Sequence, residues 1–475
     1  MRHNSTLEPP DGLAVPDQDR RPPGPPVADG LPVPQRYWAM LTMAVALTMA
    51  VLDGVIANIA LPTIEKDLAI TASGVIWVVN AYQLAVTVSL FPLASLGDIL
   101  GCRRIYWLGL AVFTLASLAC ALSDSLLTLT LARVVQGFGA AGIMSVNMAL
   151  VRYIYPQNQL GRGVGYNALI VAVSSAAGPT VAAALLSLGT WQWLFAVNVP
   201  LGLLALVIAA KSLPHSPRAA HRFDWVSAGL NALTFGLLIT GFKGLDGSQP
   251  GWLVGVELAG ALLSGWALVR RQVSQTAPLL PVDLLRLPVF ALSVVTSVCS
   301  FAAQMMAFVA LPFFFEDVIG RTQAESGLLM TPWPLAVAVV APIAGRLADR
   351  YEPGLLSAAG LAVMAAGLGA LALLPAHPDT LHIAGAMLVC GLGFGLFQTP
   401  NNKVLVSAAP RERSGGASGI QSTARLLGQT LGAAAVALIF GFVSKEQGTA
   451  VAVGIAAVLS AVAGVASSGR RVRRG

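Results

Sequence analysis

Residues 38–61 read WAMLTMAVALTMAVLDGVIANIAL, an apolar run in which Asp53 is the single charged residue. A helix needs about 20 apolar residues to cross the hydrocarbon core of a bilayer. The run is therefore long enough for one crossing. We predict a membrane-spanning helix with one acid embedded in it.

Similar apolar runs recur along the rest of the chain. Of its 475 residues, 56% are apolar and 11% are charged, whereas about a quarter of the residues in a soluble protein are charged. This composition excludes a large soluble enzyme and predicts an all-α polytopic membrane protein with fourteen transmembrane helices. The predicted spans are 38–61, 74–94, 105–123, 126–150, 164–187, 193–213, 225–242, 252–269, 289–312, 326–345, 354–374, 381–401, 417–442 and 448–467.

The Lys and Arg residues outside these spans are unevenly distributed. If the N-terminal tail is cytoplasmic, the loops on the other side hold only Lys66, Lys243, Arg321 and Lys445. Positive residues favour the cytoplasmic side of membrane helices. We predict that both termini are cytoplasmic, and that the net charge of +7 reflects membrane orientation and not nucleic-acid binding.

Two similar turns indicate that the chain contains related halves. SLGDILGCRR (95–104) follows the second span and GRLADRYEPG (345–354) follows the tenth, as expected for the internal repeats of a transporter. The charged residues of these turns are candidates for a conformational gate, although the arginines could instead serve only as orientation signals. The candidate gate residues are Asp98, Arg103, Arg104, Asp349 and Arg350.

The repeat predicts the domain organisation. We expect a disordered, Pro-rich cytoplasmic tail, two six-helix bundles with a two-helix insert between them, and a short basic tail. The corresponding ranges are 1–36 for the first tail, 37–213 for the first bundle, 214–270 for the insert, 271–469 for the second bundle and 470–475 for the last tail.

Asp53 and Arg133 are opposite charges inside predicted spans. Counting 1.5 Å per residue from the helix ends places both at a depth of about 10 to 12 Å, in the first and fourth helices of one bundle. An acid beside a cation is usually ionised, whereas burial favours its neutral form, so its protonation can depend on which way a cavity opens. The pair is a candidate proton-coupling site, with a permanent structural ion pair as the alternative.

Other polar residues in the spans are candidates for the wall of a substrate cavity, because polar side chains are unfavourable in contact with lipid. The aromatic and apolar residues among them suggest a small amphipathic substrate. The alternative is that these residues pack between helices. The candidate cavity residues are Asn80, Gln83, Gln136, Gln304, Gln398 and Arg425.

The sequence has no G-x-x-x-x-G-K-[ST] phosphate loop, and its four cysteines are widely spaced. ATP-driven transport and a Cys/His metal site are therefore not expected. We predict no cofactor, no metal and no enzymatic activity.

Several motifs resemble those of the major facilitator superfamily, in particular its fourteen-helix drug:proton antiporter branch. LDGVIANIALP (52–62) is similar to the first-helix motif, with Asp53 as its embedded acid. LARVVQGFGAAG (131–142) is similar to the fourth-helix motif, with Arg133 in the position linked to proton transfer. SLGDILGCRR is similar to the loop motif after the second helix.

The fifth-helix antiporter motif is present in part. Gly178 and Pro179 match it, whereas Ser174, Ala182 and Ala183 stand where glycines are usual. Independently of the resemblance, this Gly-Pro pair predicts a kink in the fifth helix.

The resemblance implies export of lipophilic, often cationic drugs or antiseptics in exchange for protons, by alternating access. It implies a multi-pass protein of the cytoplasmic (inner) membrane that interacts with lipid, protons and a small amphipathic molecule, and that functions as a monomer. An exporter dedicated to one natural product or metabolite and a proton symporter for uptake are the alternatives.

Overall fold

The computed structural model describes residues 29–70, 72–219, 222–244, 249–273, 284–375, 378–443 and 445–469. Every regular element in these ranges is helical. The α-helices are α1 (Gln35–Asp67), α2 (Ala72–Leu100), α3 (Cys102–Ala121), α4 (Leu126–Ile154), α5 (Leu160–Leu188), α6 (Trp193–Ala196), α7 (Asn198–Ser212), α8 (Trp225–Gly244), α9 (Gly251–Val273), α10 (Pro288–Phe313), α11 (Gln323–Met330), α12 (Pro332–Arg350), α13 (Pro353–Ala372), α14 (Thr380–Ala408), α15 (Ser414–Phe442) and α16 (Lys445–Ser468).

These helices account for all fourteen predicted spans. Helices α6 and α7 together form one span, and α11 and α12 form another. Thirteen spans in the described residues are long and apolar enough to cross a bilayer, and α5 is the fourteenth when its segments 157–178 and 180–187 are counted together. These two segments meet at an angle of 46°, at the position where the Gly-Pro pair predicts a kink.

The turn between α2 and α3 is shorter than predicted. Residues 97–104 were expected to form a loop, whereas α2 continues to Leu100 and only Gly101 separates it from α3. Gly101 has a φ of +102°, a conformation that glycine adopts without a steric penalty. Asp98 therefore lies in the last turn of α2, and Arg103 lies in the first turn of α3.

Each half of the chain has its own core. One apolar cluster lies among α1 to α7 and is centred on residues such as Met43, Tyr106 and Phe113. Another lies among α10 to α16 and includes Trp333 and Phe315. Helices α8 and α9 pack against each other, and the Asn231 side chain of α8 donates a hydrogen bond to the Val88 carbonyl of α2 at 2.8 Å. The two-helix insert thus lies beside the first bundle.

Glycines bring equivalent helices into backbone contact in the two halves. A Cβ atom added at Gly139 of α4 would lie 2.4 Å from the Phe113 nitrogen of α3. In the second half, a Cβ atom at Gly393 of α14 would lie 2.3 Å from the Met364 nitrogen of α13. Small residues at helix contacts permit this close approach in membrane proteins.

The N-terminal segment differs in part from the predicted disordered tail. Residues 1–28 and 470–475 lie outside the described residues, but residues 29–34 are held against the first bundle. The Leu31 amide donates to the Ile154 carbonyl at 2.9 Å. Asp29 accepts a hydrogen bond from the Gln157 amide at 2.9 Å and pairs with Arg411 at 2.5 Å. These backbone and charge contacts fix the chain just before α1.

Gly139→Ala is expected to destabilise the protein by about 1 to 3 kcal/mol, because the added methyl group would force α3 and α4 apart. Gly369→Ala is a matched control, since nothing lies within 4 Å of a Cβ atom at that position. Thermal unfolding of the two purified variants in detergent would measure the difference. Equal melting temperatures would contradict the proposed helix contact.

Candidate functional site

Asp53 of α1 and Arg133 of α4 form a buried ion pair. The Arg133 Nη1 atom lies 2.5 Å from Asp53 Oδ2, and the side-chain exposures of Arg133 and Asp53 are 0% and 1%. A buried charge in a membrane helix is costly unless it is paired. The two residues therefore neutralise each other, as the depth calculation predicts.

Amide and hydroxyl groups complete the surroundings of the pair. Gln136 accepts a hydrogen bond from Arg133 at 2.7 Å and donates one to Asp53 Oδ1 at 2.8 Å. Its amide also donates to the Ser117 hydroxyl at 2.9 Å. Asn198 of α7 approaches Asp53 Oδ1 at 3.4 Å. The carboxylate thus receives charged and neutral hydrogen-bond donors from two neighbouring helices, α4 and α7.

Aromatic rings enclose the guanidinium group. The Arg133 Cζ atom lies 4.1 Å from the centre of the Tyr82 ring and 5.5 Å from that of Phe195. Arg133 Nε donates to the Val78 carbonyl at 3.0 Å. Cation–π contacts are strongest when the cation is removed from water, so these rings stabilise the buried arginine.

A cavity of about 760 Å³ lies between the two bundles. Apolar and aromatic side chains form most of its wall, with several amides and hydroxyls among them. Tyr82 lines this cavity and also contacts Arg133, so its ring lies between the ion pair and the cavity. The polar lining residues include Tyr82, Gln83, Thr87, Ser175, Gln304, Gln398, Arg425, Gln429 and Thr430.

The structure brings together four of the six candidate cavity residues. Two do not line this cavity, and their placement there requires correction. Gln136 is instead fully buried within the ion-pair network, because its two ends match the carboxylate and the guanidinium. Asn80 is half-buried and has a partner elsewhere. The four residues that do line the cavity are Gln83, Gln304, Gln398 and Arg425.

The charge of the cavity wall also departs from expectation. A site for cationic drugs would be expected to present a carboxylate, but Arg425 is the single charged residue among the described residues that line the cavity. Glu316 and Asp317 are exposed at the end of α10. Glu257 of α9 is half-buried beside α8, and its Oε2 atom has no partner among the described groups.

The insert also contributes to the cavity. Ile239 and Phe242 of α8 lie on its wall, together with residues from both bundles. The sequence gives no signal for this contact, because these residues cannot be distinguished from lipid-facing ones by their pattern alone.

Asp98 joins the two bundles at one end of the molecule. Its carboxylate accepts hydrogen bonds from the backbone amides of Gly415 and Gly416 at 2.8 and 2.9 Å, in the first turn of α15. A carboxylate at a helix N-terminus satisfies free amides and interacts favourably with the helix dipole. A Cβ atom at Gly415 would lie 2.5 Å from the carboxylate, so glycine is needed for this contact.

Asp349 makes the equivalent contact in the opposite sense. It lies in the last turn of α12 in the second bundle and accepts from the amides of Gly161 and Arg162 at 2.8 and 3.2 Å, at the start of α5. Lys403 of α14 pairs with the same carboxylate at 2.7 Å. Each bundle therefore supplies one acid that caps a helix of the other.

The candidate gate arginines do not join the bundles. Arg103 donates to the Ala210 carbonyl within its own bundle, and Arg104 and Arg350 are exposed with no partner among the described residues. Arg152 of the first bundle does join the bundles, since it donates to the Ala409 carbonyl at 2.7 Å and to the Ser414 hydroxyl at 3.1 Å in the second bundle. Arg152 precedes the turn between α4 and α5, and its sequence context does not reveal its partners.

These contacts close the end of the molecule that holds the α2–α3 and α12–α13 turns, which we call the arginine-rich end. The cavity lies away from it. Trp333, which lines the cavity, and Asp349 are separated by about 24 Å along α12 at 1.5 Å per residue. The cavity residues of α15 likewise begin at Arg425, well beyond Gly415.

The fold and the sequence of the chain together identify its family. Residues 43–433 match the Major Facilitator Superfamily, with a second, overlapping match over 299–473. The chain belongs to the Major Facilitator Superfamily. The resemblance of its motifs to this family is thereby confirmed, as is the prediction of two six-helix bundles with two extra helices.

Relatives and solved structures support this assignment. The chain is 58% identical to the uncharacterized transporter YebQ of Escherichia coli K12 over 442 residues, which is 93% of this chain and 96% of YebQ. It is 33% identical to the multidrug resistance protein Stp of Mycobacterium tuberculosis, over 83% of this chain and 74% of Stp. The crystal structure of the human organic anion transporter MFSD10 superposes with a TM-score of 0.68, covering 92% of this chain and 100% of MFSD10 at 14% identity. That likeness shows the fold alone.

Asp98→Ala is expected to weaken closure of the arginine-rich end. Loss of a helix-capping carboxylate costs about 1 to 2 kcal/mol, which would shift an open–closed equilibrium by about tenfold. Spin labels at Arg104→Cys and Arg350→Cys, with the native cysteines replaced by serine, would report the distance between the bundles. We expect a longer distance to become populated, and more so in Asp98→Ala with Asp349→Ala.

Asp124→Ala serves as the control, because Asp124 is exposed in the α3–α4 turn at the other end of these helices. Unchanged distance distributions in both the single and the double variant would exclude the two carboxylates as the gate.

Proposed function

We propose that this protein is a proton-coupled antiporter that exports lipophilic small molecules by alternating access. The observation that carries the proposal is the buried carboxylate of Asp53, which is paired with Arg133 beside a large interbundle cavity. The wall of this cavity includes Tyr82, whose ring contacts Arg133. A carboxylate so placed can change its protonation when water in the cavity reaches it, and each change alters the net charge of the pair.

The orientation follows from the positive-inside rule. The arginine-rich end would face the cytoplasm of a cell with an inner membrane, together with both termini. Because that end is closed by Asp98 and Asp349, the structure would represent a state whose cavity belongs to the outer side. In this state a proton from outside could reach Asp53.

The proposed cycle uses the contacts of the ion pair. Protonation of Asp53 on the outer side removes the negative charge that Arg133, Gln136 and Asn198 stabilise. Substrate leaves outward, the outer side closes and the gate at the arginine-rich end opens. On the cytoplasmic side, the positive charge of Arg133 favours release of the proton from Asp53, and the ion pair is restored before the next substrate binds.

The driving force depends on the charge of the substrate. One proton moving down a pH gradient supplies about 1.4 kcal/mol per pH unit. Exchange of one proton for a neutral molecule would add the membrane potential, at about 2.3 kcal/mol per 100 mV. Exchange for a monovalent cation would move no net charge and would use the pH gradient alone.

The range of substrates is supported by the cavity and by one relative. The volume lies within the range of sites for drug-sized ligands, and its aromatic wall fits lipophilic compounds. Stp, the relative from Mycobacterium tuberculosis, is named a multidrug resistance protein. We therefore favour multidrug export over export of one dedicated compound. We also propose that a single copy of the chain is sufficient for transport.

Asp53→Asn is expected to abolish transport driven by a pH gradient, because asparagine keeps the shape and one oxygen but cannot bind and release a proton. The measurement is pH-driven accumulation of a fluorescent dye in proteoliposomes. Asp53→Glu should restore part of the activity. Dye exchange without a gradient should persist in Asp53→Asn, which separates loss of coupling from loss of fold.

Asp124→Asn is the matched control, since it removes an exposed carboxylate outside the bundles' cores. If Asp53→Asn transported dye at the wild-type rate in response to a pH gradient, Asp53 would have no part in coupling.

A host that lacks its own drug pumps is expected to become resistant to several chemically unrelated lipophilic compounds when it expresses this chain. The reason is that a large apolar cavity wall with few hydrogen-bonding groups discriminates weakly among substrates. Growth inhibition across a compound panel would measure the effect. Resistance to one compound would support a dedicated exporter, and increased sensitivity would support uptake.

A further inference from the structure

The charge of the cavity wall bears on the class of substrate, provided that the proposed export function holds. Arg425 of α15 is the single charged side chain among the described residues that line the cavity. A cavity with one fixed cation and no carboxylate has a positive potential. In a medium of low dielectric constant this potential is only weakly screened.

No described residue neutralises the charge of Arg425. It makes no hydrogen bond or salt bridge with any residue in the described ranges, and its Nε atom is buried without a partner. Tyr82, a neutral phenol, lines the same cavity. Arg425 is half-buried in the cavity wall, and a guanidinium group with limited access to water and no counter-ion is unfavourable. The approach of an anion would therefore stabilise it.

The other buried charges of this bundle interface cannot offset Arg425. Asp53, a buried carboxylate of the first bundle, is paired with Arg133 and receives donors from Gln136 and Asn198. The Tyr82 ring lies between this group and the cavity. The ion pair as a whole is neutral and therefore provides no binding site for a substrate cation.

The remaining wall fits an aromatic molecule with polar substituents. Phe308 and Trp333 meet edge to face with ring centres 5.3 Å apart, and Phe301 and Phe394 do so at 5.4 Å. These rings line the cavity together with amide side chains that can donate hydrogen bonds. The amides are those of Gln83, Gln304, Gln398 and Gln429.

We infer that this cavity binds amphipathic aromatic anions, with a carboxylate, phenolate or sulfonate of the substrate on the guanidinium of Arg425. The guanidinium fork matches the geometry of such oxyanions. The aromatic wall holds the ring system, and the amides contact its neutral polar groups. This inference assigns the substrate the opposite charge to the cationic compounds that the resemblance implies.

Anion export would also change the charge balance of the cycle. An anion leaving the cell and a proton entering it both move charge in the direction that an inside-negative potential favours. Transport of an anion should therefore respond to the potential even without a pH gradient. A cation exchanged for a proton would show no such response.

The test compares fluorescein with rhodamine 6G, two dyes that share the xanthene ring system but differ in charge. Binding to the purified full chain in nanodiscs is followed by fluorescence anisotropy, at a pH where fluorescein is a dianion and rhodamine 6G a monocation. We expect fluorescein to bind at least about tenfold more tightly, which is the effect of one added charged hydrogen bond.

Arg425→Gln should weaken fluorescein binding by about tenfold or more and leave rhodamine 6G binding unchanged or stronger. Arg425→Lys keeps the positive charge but lacks the paired N–H donors of a guanidinium group. A smaller loss of fluorescein affinity, about threefold, is therefore expected. Arg350→Gln, an exposed charge loss at the arginine-rich end, is the control and should change neither dye. The thermal stability of each variant in nanodiscs shows whether it has folded.

Tighter binding of rhodamine 6G, equal losses for both dyes in Arg425→Gln, or failure of wild-type protein to bind fluorescein would each overturn the inference. The proposed function fails separately, if neither dye is transported in response to a pH gradient. Gradient-driven transport of rhodamine 6G alone would keep antiport and reject the anion site.

Discussion

The cost of placing charge inside a membrane governs this structure. Asp53 and Arg133 are tolerated because they neutralise each other at 2.5 Å and because Gln136, Asn198 and the Val78 carbonyl form hydrogen bonds with them. The pair draws α1, α2, α4 and α7 into one bundle around it. A proton on Asp53 would leave the buried charge of Arg133 with weaker compensation. Protonation of this one carboxylate would therefore affect the contacts among all four helices.

The second organising interaction is a carboxylate at a helix N-terminus, used twice. Asp98 caps α15 and Asp349 caps α5, so each half of the repeat holds a helix of the other. These contacts depend on glycines that leave room for the acid. Apolar contacts accompany these hydrogen bonds, since Phe91 of α2 lies in one buried cluster with Ala417 and Ile420 of α15. Separation of the bundles at this end therefore breaks the helix caps and also exposes apolar surface.

Several parts of the site could be predicted from local sequence. The depth of Asp53 and Arg133 followed from the residue count along two helices, and the polar character of Gln83, Gln304, Gln398 and Arg425 placed them in a cavity. Gln136 was assigned to the same cavity, because helical spacing relates it to Arg133 but does not show which neighbour it meets. Arg152 and Lys403, which contact the gate from α4 and α14, could not be distinguished from other arginines and lysines near helix ends.

The sequence by itself determined the number of spanning helices, the repeat and the two embedded charges, because apolar length and the cost of a charge in lipid are properties of single segments. Only the tertiary structure decided which end is closed, which residues cap which helices, and that Arg425 is the one charged residue lining the cavity in the described ranges. These features arise between segments far apart in the chain. The sign of a cavity's charge depends on which side chains are turned away from it, as Asp53 is behind Tyr82.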